Sequence, residues 1–207
     1  MLEKIKKYKI PIIIILTLII LIITLRVITT EELIIDTMAY NLFVEKLRSP
    51  NLNKVMLLVA TLSNTPVTVI FIIVLLILIK DKKIALTIPA NLLLITIINQ
   101  ILKLIIQRPR PIGYRLIEIG EYSFPSGHAM TSMALYGFLI YLSYKLIKNK
   151  NLKIFFITAC ILIIIIIGIS RIYLGVHYCS DVLAGWSISI IYLIIYINIL
   201  KNHKIIP

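Results

Sequence analysis

The apolar positions of this chain come in long blocks, with neither the alternation of a half-buried strand nor the three-to-four spacing of a surface helix. Uncharged runs extend from Ile10 to Leu25, Val55 to Ile79, Ile84 to Leu102, Tyr122 to Tyr144, Ile154 to Ser170 and Val182 to Leu200. A helix needs about 20 apolar residues to cross a bilayer, so the runs predict six membrane-spanning helices. The first and fifth are slightly short, but Val27 and Ile28 extend the first beyond Arg26, whose long side chain can carry its charge to the interface. The pattern predicts an all-α polytopic membrane bundle, one integral domain over residues 1–207 without linker or internal repeat. Lys4, Lys6, Lys7 and Lys9 precede the first run as in a signal peptide, yet Arg26-Val27-Ile28-Thr29-Thr30-Glu31-Glu32 follows it with no small-residue cleavage site, so it reads as an anchor.

Polar residues then subdivide the pattern. Asn64 and Pro66 interrupt the second run and predict a kink. Between Glu31 and Arg48, helical spacing puts Leu33, Tyr40, Val44 and Leu47 on one face and Thr37, Asn41, Glu45 and Arg48 on another, the arrangement of an amphipathic helix at the outer interface. Asp36 falls near the apolar stripe, and Ile34 and Ile35 lie outside it. The segment reads first as a connector, with a lid as the alternative. On the third run, Asn91, Asn99, Lys103 and Gln107 recur at multiples of four and predict a polar stripe facing the bundle. Pro109 and Pro111 then oppose helix continuation, which puts Arg110 in an extended segment. Arg108 and Arg115 read as surface charges or head-group contacts.

The net charge of +13 with a mean hydropathy of +1.02 is spread over short loops. It lacks a basic domain or recognition motif, so no nucleic-acid partner is expected; topology and anionic lipid account for it. Thirteen cations fall at the ends of runs on the side of the N-terminus, and nine on the other side, of which three are Lys103, Arg110 and Arg171. By the positive-inside rule both termini are expected in the cytoplasm, with the polar clusters near the outer face. The two cysteines, Cys160 inside the fifth run and Cys179 near the outer boundary, read as packing residues without a disulfide. Trp186, Tyr141, Tyr144, Tyr192 and Tyr196 read as packing or interface aromatics, and His203 as a tail residue.

Ionisable groups inside an apolar chain are costly and mark a functional site. Ser126 is placed to cap the helix that opens at Pro125-Ser126-Gly127-His128, and amides at such an end bind phosphate oxygens. His177 and Asp181 are four residues apart, so on a helix the carboxylate can accept a hydrogen bond from one ring nitrogen. That bond sets the tautomer and directs the other nitrogen outward as a nucleophile. Lys103, Arg110 and Arg171 add cations that require an anion.

Taken together, Lys103 followed by six residues and Arg110-Pro111, then Pro125-Ser126-Gly127-His128, then Ser170-Arg171 with His177 and Asp181 resembles the three-part signature of the type 2 phosphatidic acid phosphatase superfamily. The resemblance implies a lipid phosphate phosphatase of the bacterial six-span type, acting on a lipid phosphomonoester or diphosphate such as phosphatidylglycerol phosphate, phosphatidic acid or undecaprenyl diphosphate. It implies that Lys103, Arg110 and Arg171, assisted by Ser126 and Gly127, hold phosphate, that His177 attacks phosphorus, that Asp181 orients it, and that His128 protonates the leaving oxygen and later activates water. No metal and no cofactor are implied, and the partners are the lipid substrate and the bilayer of the bacterial cell membrane. A bell-shaped pH dependence is expected, with His177 neutral and His128 protonated. A rival reading is a membrane transporter or ion carrier in which Lys103, His128 and Asp181 relay ions, and this predicts polar groups through both leaflets. A catalytically inert scaffold and a vanadate-dependent halide oxidase are further alternatives.

Overall fold

The computed structural model describes residues 2–29, 33–113 and 115–207, with side chains from Tyr8 onward. The expectations placed on Lys4, Lys6, Lys7, Thr30, Glu31 and Glu32 concern side chains or residues outside these. Among the described residues, eight α-helices account for most of the structure: α1 (Leu2–Ile28), α2 (Ile34–Tyr40), α3 (Pro50–Leu62), α4 (Thr65–Leu78), α5 (Lys82–Ile106), α6 (Gly127–Leu146), α7 (Lys150–Tyr173) and α8 (Cys179–Asn202), with a π-helical turn at Asn41–Lys46. The fold is all-α, as the block pattern predicts.

Local chemistry sets most of the boundaries. Side-chain oxygens of Ser49, Asp81, Ser126 and Asn149 accept backbone N–H groups in the first turns of α3, α5, α6 and α7, satisfying donors that the helix cannot. Pro50 and Pro66 occupy first-turn positions of α3 and α4, where the missing N–H costs nothing. The break between those two helices bends the second run by 53°, at the Asn64 and Pro66 interruption.

Among the described residues, α1, α5, α7 and α8 are long and apolar enough to cross a membrane, and the bent α3–α4 pair, taken together, is apolar enough to count as a fifth if it forms one broken span. The sixth expected span corresponds to α6, which starts at Gly127 and not at Tyr122. Its Ser, Thr, Gly and His residues lower its apolarity because it packs against α5, α7 and α8, where small residues allow close approach and side chains replace lipid. Gly185 of α8 shows how close: a Cβ there would sit 3.1 Å from the backbone oxygen of Ser126. Below that contact lies a core of Ile88, Ile95, Met130, Ala134, Leu135, Phe138, Leu193 and Tyr196. The Tyr196 and Tyr192 hydroxyls donate to the carbonyls of Thr87 and Asn91, and Trp186 packs near Ala129 and Val182, in keeping with the packing role expected of these aromatics.

Three expectations change. The polar stripe of α5 buries Asn91 and Asn99 but stops at Lys103, because Gln107 adopts a left-handed φ of 49° and ends the helix; its side chain is exposed and donates to Leu104 O. The amphipathic segment is a short helix followed by a π-helical turn, and its inward face carries Asp36 and Val44 while Leu47 is exposed. Asp36, the residue that spoils the apolar stripe, is therefore buried together with Val44. Arg108 is not a surface charge, since it forms ion pairs with Asp36 and Asp181.

Lys9 Nζ bonds to Asn198 Oδ1 at 2.6 Å, which sets the start of α1 beside the end of α8. The start of α1 and the end of α8 therefore lie at one end of the bundle, and the polar clusters at the other.

Candidate active site

Two connections converge at the polar end. The α7 helix closes with paired bonds, from Gly175 N to Ile172 O and from Val176 N to Arg171 O. Gly175, at φ +73°, provides the left-handed residue that such a stop requires. The chain reverses within a few residues, delivering His177 onto the start of α8. There Asp181 Oδ2 accepts the Tyr178 backbone N–H at 2.9 Å and faces His177 Nδ1 at 3.3 Å. Both side chains are buried.

The α5–α6 connection adds Arg110. Its Nη1 donates to Val176 O at 2.7 Å and lies 3.3 Å from His177 Nε2, and its Nε donates to Gly120 O. Between an ionised carboxylate on Nδ1 and a guanidinium on Nε2, the ring must carry its proton on Nδ1. The Nε2 lone pair is left on the side of Arg110, at the wall of the cavity that both residues line. Burial pushes the His177 pKa down to about 4, the cations Arg110 and Lys103 act in the same sense, and Asp181 opposes them. Burial likewise lowers Arg110 to about 10, so it stays charged at neutral pH.

Lys103, Arg110, Gly127, His128 and His177 line one cavity of about 690 Å³. Lys103 Nζ is held by Tyr122 O at 2.5 Å. Arg171 is 1% exposed, its Nε donates to Ser170 Oγ, and its Nη2 has no protein partner among the described residues. A buried N–H of a cation without an acceptor is costly and fits an anion site. Ser126 lies behind the cavity wall: its Oγ caps α6 and its N–H donates to Asp181 O at 3.1 Å. Beyond the polar end the cavity descends past Asn99, Gln100 and Thr96 to Val69, Ile72, Leu92 and Leu93 between α4 and α5. The eight residues singled out in the sequence are thus gathered at one end of the bundle, five on the cavity wall and the rest directly behind it.

Two residues escaped sequence reasoning. Arg108 donates to Asp181 Oδ1 at 2.6 Å, to Ser180 Oγ at 2.7 Å and to Asp36 Oδ2 at 2.9 Å, and its guanidinium stacks 3.8 Å from the Tyr178 ring centroid. Asp36 also accepts the Ser180 N–H at 2.7 Å. The signal for Asp36 was its position in an apolar stripe; Arg108 offered none beyond its neighbours.

A polytopic helical membrane protein with two histidines and three cations gathered at one end defines the class. The sequence profile of the PAP2 superfamily matches residues 84–205, more than half of the chain, and the chain belongs to that superfamily. It is similar to phosphatidylglycerophosphatase B of Bacillus subtilis (strain 168), 38% identical over 97 residues, which cover 46% of this chain and 47% of that protein. It is also similar to sphingosine-1-phosphate phosphatase 1 of Rattus norvegicus, 33% identical over 108 residues, covering 50% of this chain and 25% of that one. The aligned stretch thus spans about half, or less, of these relatives. The structure resembles the crystal structure of the transmembrane PAP2-type phosphatidylglycerolphosphate phosphatase from Bacillus subtilis, with a TM-score of 0.79 at 26% identity over 92% of this chain and 96% of that one. It also resembles Aquifex aeolicus LpxE, with a TM-score of 0.63 at 26% identity over 77% of this chain and 92% of that one.

Proposed function

We propose that this protein is a metal-independent lipid phosphate phosphatase that works through a phosphohistidine. The observation that supports this best is a single cavity lined by His177, His128, Lys103 and Arg110 at its polar end and by Val69, Ile72, Leu92 and Leu93 at the other. A phosphorylated lipid has the same division. Phosphoryl transfer needs positioning and stabilisation of charge on the equatorial oxygens, and Lys103, Arg110 and Arg171 supply it, with the α6 N-terminus at Gly127 adding its amide dipoles.

In the first step His177 Nε2 attacks phosphorus, the N–P bond forms, the P–O bond to the lipid breaks, and His128 gives its proton to the departing oxygen. Asp181 keeps the Nδ1 proton and stabilises the charge that develops on the ring. In the second step water attacks the phosphohistidine, His128 takes its proton, and the N–P bond breaks to release inorganic phosphate. Three cations do the work that a metal ion does elsewhere. The two buried carboxylates near the site, Asp36 and Asp181, are engaged by Arg108, which leaves neither as a ready metal ligand.

The Lys-rich ends of the spans lie with both termini, opposite the site. This supports cytoplasmic termini and a site facing outward across the bacterial plasma membrane. The clustering of polar groups at one end argues against an ion path through both leaflets.

The test is phosphate release by the detergent-solubilised protein from a panel of phosphatidylglycerol phosphate, phosphatidic acid and undecaprenyl diphosphate, with and without chelator. Release from at least one lipid, unchanged by chelator and abolished in His177→Asn, is the expected result. Loss of activity on chelation ends the metal-free mechanism, and no release from any of the three ends the lipid assignment.

A further inference from the structure

Asp181 has more partners than a carboxylate that only orients His177 requires. Its Oδ2 receives His177 Nδ1 and Tyr178 N, and its Oδ1 receives Arg108 Nη1 at 2.6 Å. Arg108 is in turn held by Asp36 Oδ2, and Asp36 Oδ1 accepts the second amide of α8 at 2.7 Å. This chain of bonds runs from α2, outside the signature region, to the ring proposed as the nucleophile. Arg108 and Asp36 line a separate cavity of about 440 Å³ with Tyr40, Pro109 and Tyr178, so neither lies on the wall where phosphate would bind.

We propose that Arg108, anchored by Asp36, is a positioning residue that holds Asp181 in register with His177 and balances its charge. The proposal rests on His177 being the nucleophile. Two carboxylates, Asp36 and Asp181, face one guanidinium. Remove the guanidinium and the carboxylates repel each other, Asp181 loses its Oδ1 anchor, and the ring sees uncompensated negative charge. Burial opposes the charge on Arg108, but Asp181 and Asp36 outweigh it and raise its pKa; it is charged at any working pH.

The consequence is a pair of shifts of opposite sign. Among the described residues, the charged and titratable groups around His177 include Lys103 from α5, Arg108, Arg110, Glu121 and Tyr122 from the α5–α6 connection, His128 from α6, Arg171 from α7 and Asp181 from α8, with Asp36 of α2 behind Arg108. Arg108→Gln removes a positive charge from this set, which favours the imidazolium, so the acid limb of kcat/KM moves to higher pH. Asp36→Asn removes a negative charge, which disfavours it, so the limb moves to lower pH. A nearby charge shifts a pKa by about one unit or more. Losing a partner that orients a histidine costs about 10- to 100-fold in metal sites, and the same scale is expected here for kcat in Arg108→Gln.

The experiment compares Arg108→Gln, Arg108→Lys, Asp36→Asn and His177→Asn for kcat, KM, pH profile and inhibition by inorganic phosphate, which reports an intact cradle. Expected for Arg108→Gln are a kcat lower by about 10- to 100-fold, KM and phosphate inhibition close to the parent, and an acid limb moved upward. Arg108→Lys should restore the limb, and Asp36→Asn should move it down. A kcat near the parent with an unmoved limb in Arg108→Gln overturns the proposal. So does loss of phosphate inhibition in step with kcat. If Arg108→Gln does not fold, the direction of the Asp36→Asn shift decides. An active His177→Asn sinks the nucleophile assignment and this proposal with it, whereas an inactive one with unmoved limbs in the Arg108 and Asp36 variants sinks this proposal alone.

Discussion

The helices α1, α3 and α4 and the helices α5 to α8 solve different problems with nearly the same amino acids. Of the most apolar stretch of α1, 11% is buried, against 44% of that of α5. Ile15, Ile22, Ile70 and Ile77 point outward, where lipid is their solvent, and their identity matters little beyond being apolar. In α5 to α8, Ile88, Ile95, Phe138 and Leu193 meet one another, and the same half carries all three polar clusters. Packing is tight where ionisable groups must be held and loose where only a hydrophobic surface is needed. A buried carboxylate links the second group to the rest of the chain: Asp36 of α2, held against Ser180 and Arg108.

The sharpest way to break this contrast is His177→Asn. Removing a catalytic nucleophile costs about 10⁴-fold or more, so phosphate release should fall at least that far while thermal unfolding in detergent is unchanged. Residual activity within about tenfold, only some 1.4 kcal/mol of barrier, would move the chemistry elsewhere. Next is His128→Ala, expected to cost about 10² to 10⁴ as a lost general acid. With a phosphate ester whose leaving group needs no proton, such as p-nitrophenol, the loss in the first step should shrink; an equal loss on both substrates would assign His128 a binding role instead.

A third test uses pH. As the proposed nucleophile, His177 must be neutral to attack, and its pKa is lowered to about 4, so activity should persist on acidification and fall only near pH 4. An acid limb near the ordinary imidazole value of about 6.5, after allowing for the phosphate ionisation near pH 6 of a monoester substrate, would mean that the ring is solvated. The smallest effects test the packing contrast. Phe138 is fully buried with an edge-to-face contact to Tyr196 at 5.6 Å, and Phe138→Ala should cost about 2 kcal/mol or more through the cavity it leaves. Ile15→Ala on the lipid face of α1 should stay within about 0.5 kcal/mol. Thermal unfolding of both variants in the same detergent reads the difference.

Much of this molecule was legible because ionisable residues stand out in an apolar chain. Lys103, Arg110, His128, Arg171, His177 and Asp181 could be singled out without coordinates, and so could the kink at Asn64 and Pro66. The i,i+4 relation of His177 to Asp181 is local, and local geometry can be read from spacing. Gln107 was misassigned because periodicity continues on paper past the point where a left-handed residue ends the helix. Arg108 was misassigned because its partners are 72 and 73 residues away along the chain, and no spacing reports a contact of that range.

The amino-acid order alone determined that this chain belongs in a bilayer, where its apolar runs lie and which residues are the candidates for its chemistry. Those are consequences of transfer energy and of local periodicity, both additive along the chain. Tertiary structure decided which nitrogen of His177 faces the cavity, that Ser126 stands behind the cradle, and that Asp36 and Arg108 brace Asp181. Each of these depends on distant groups meeting in a place where water cannot compensate for a missing partner, and such meetings exist only once the helices are packed.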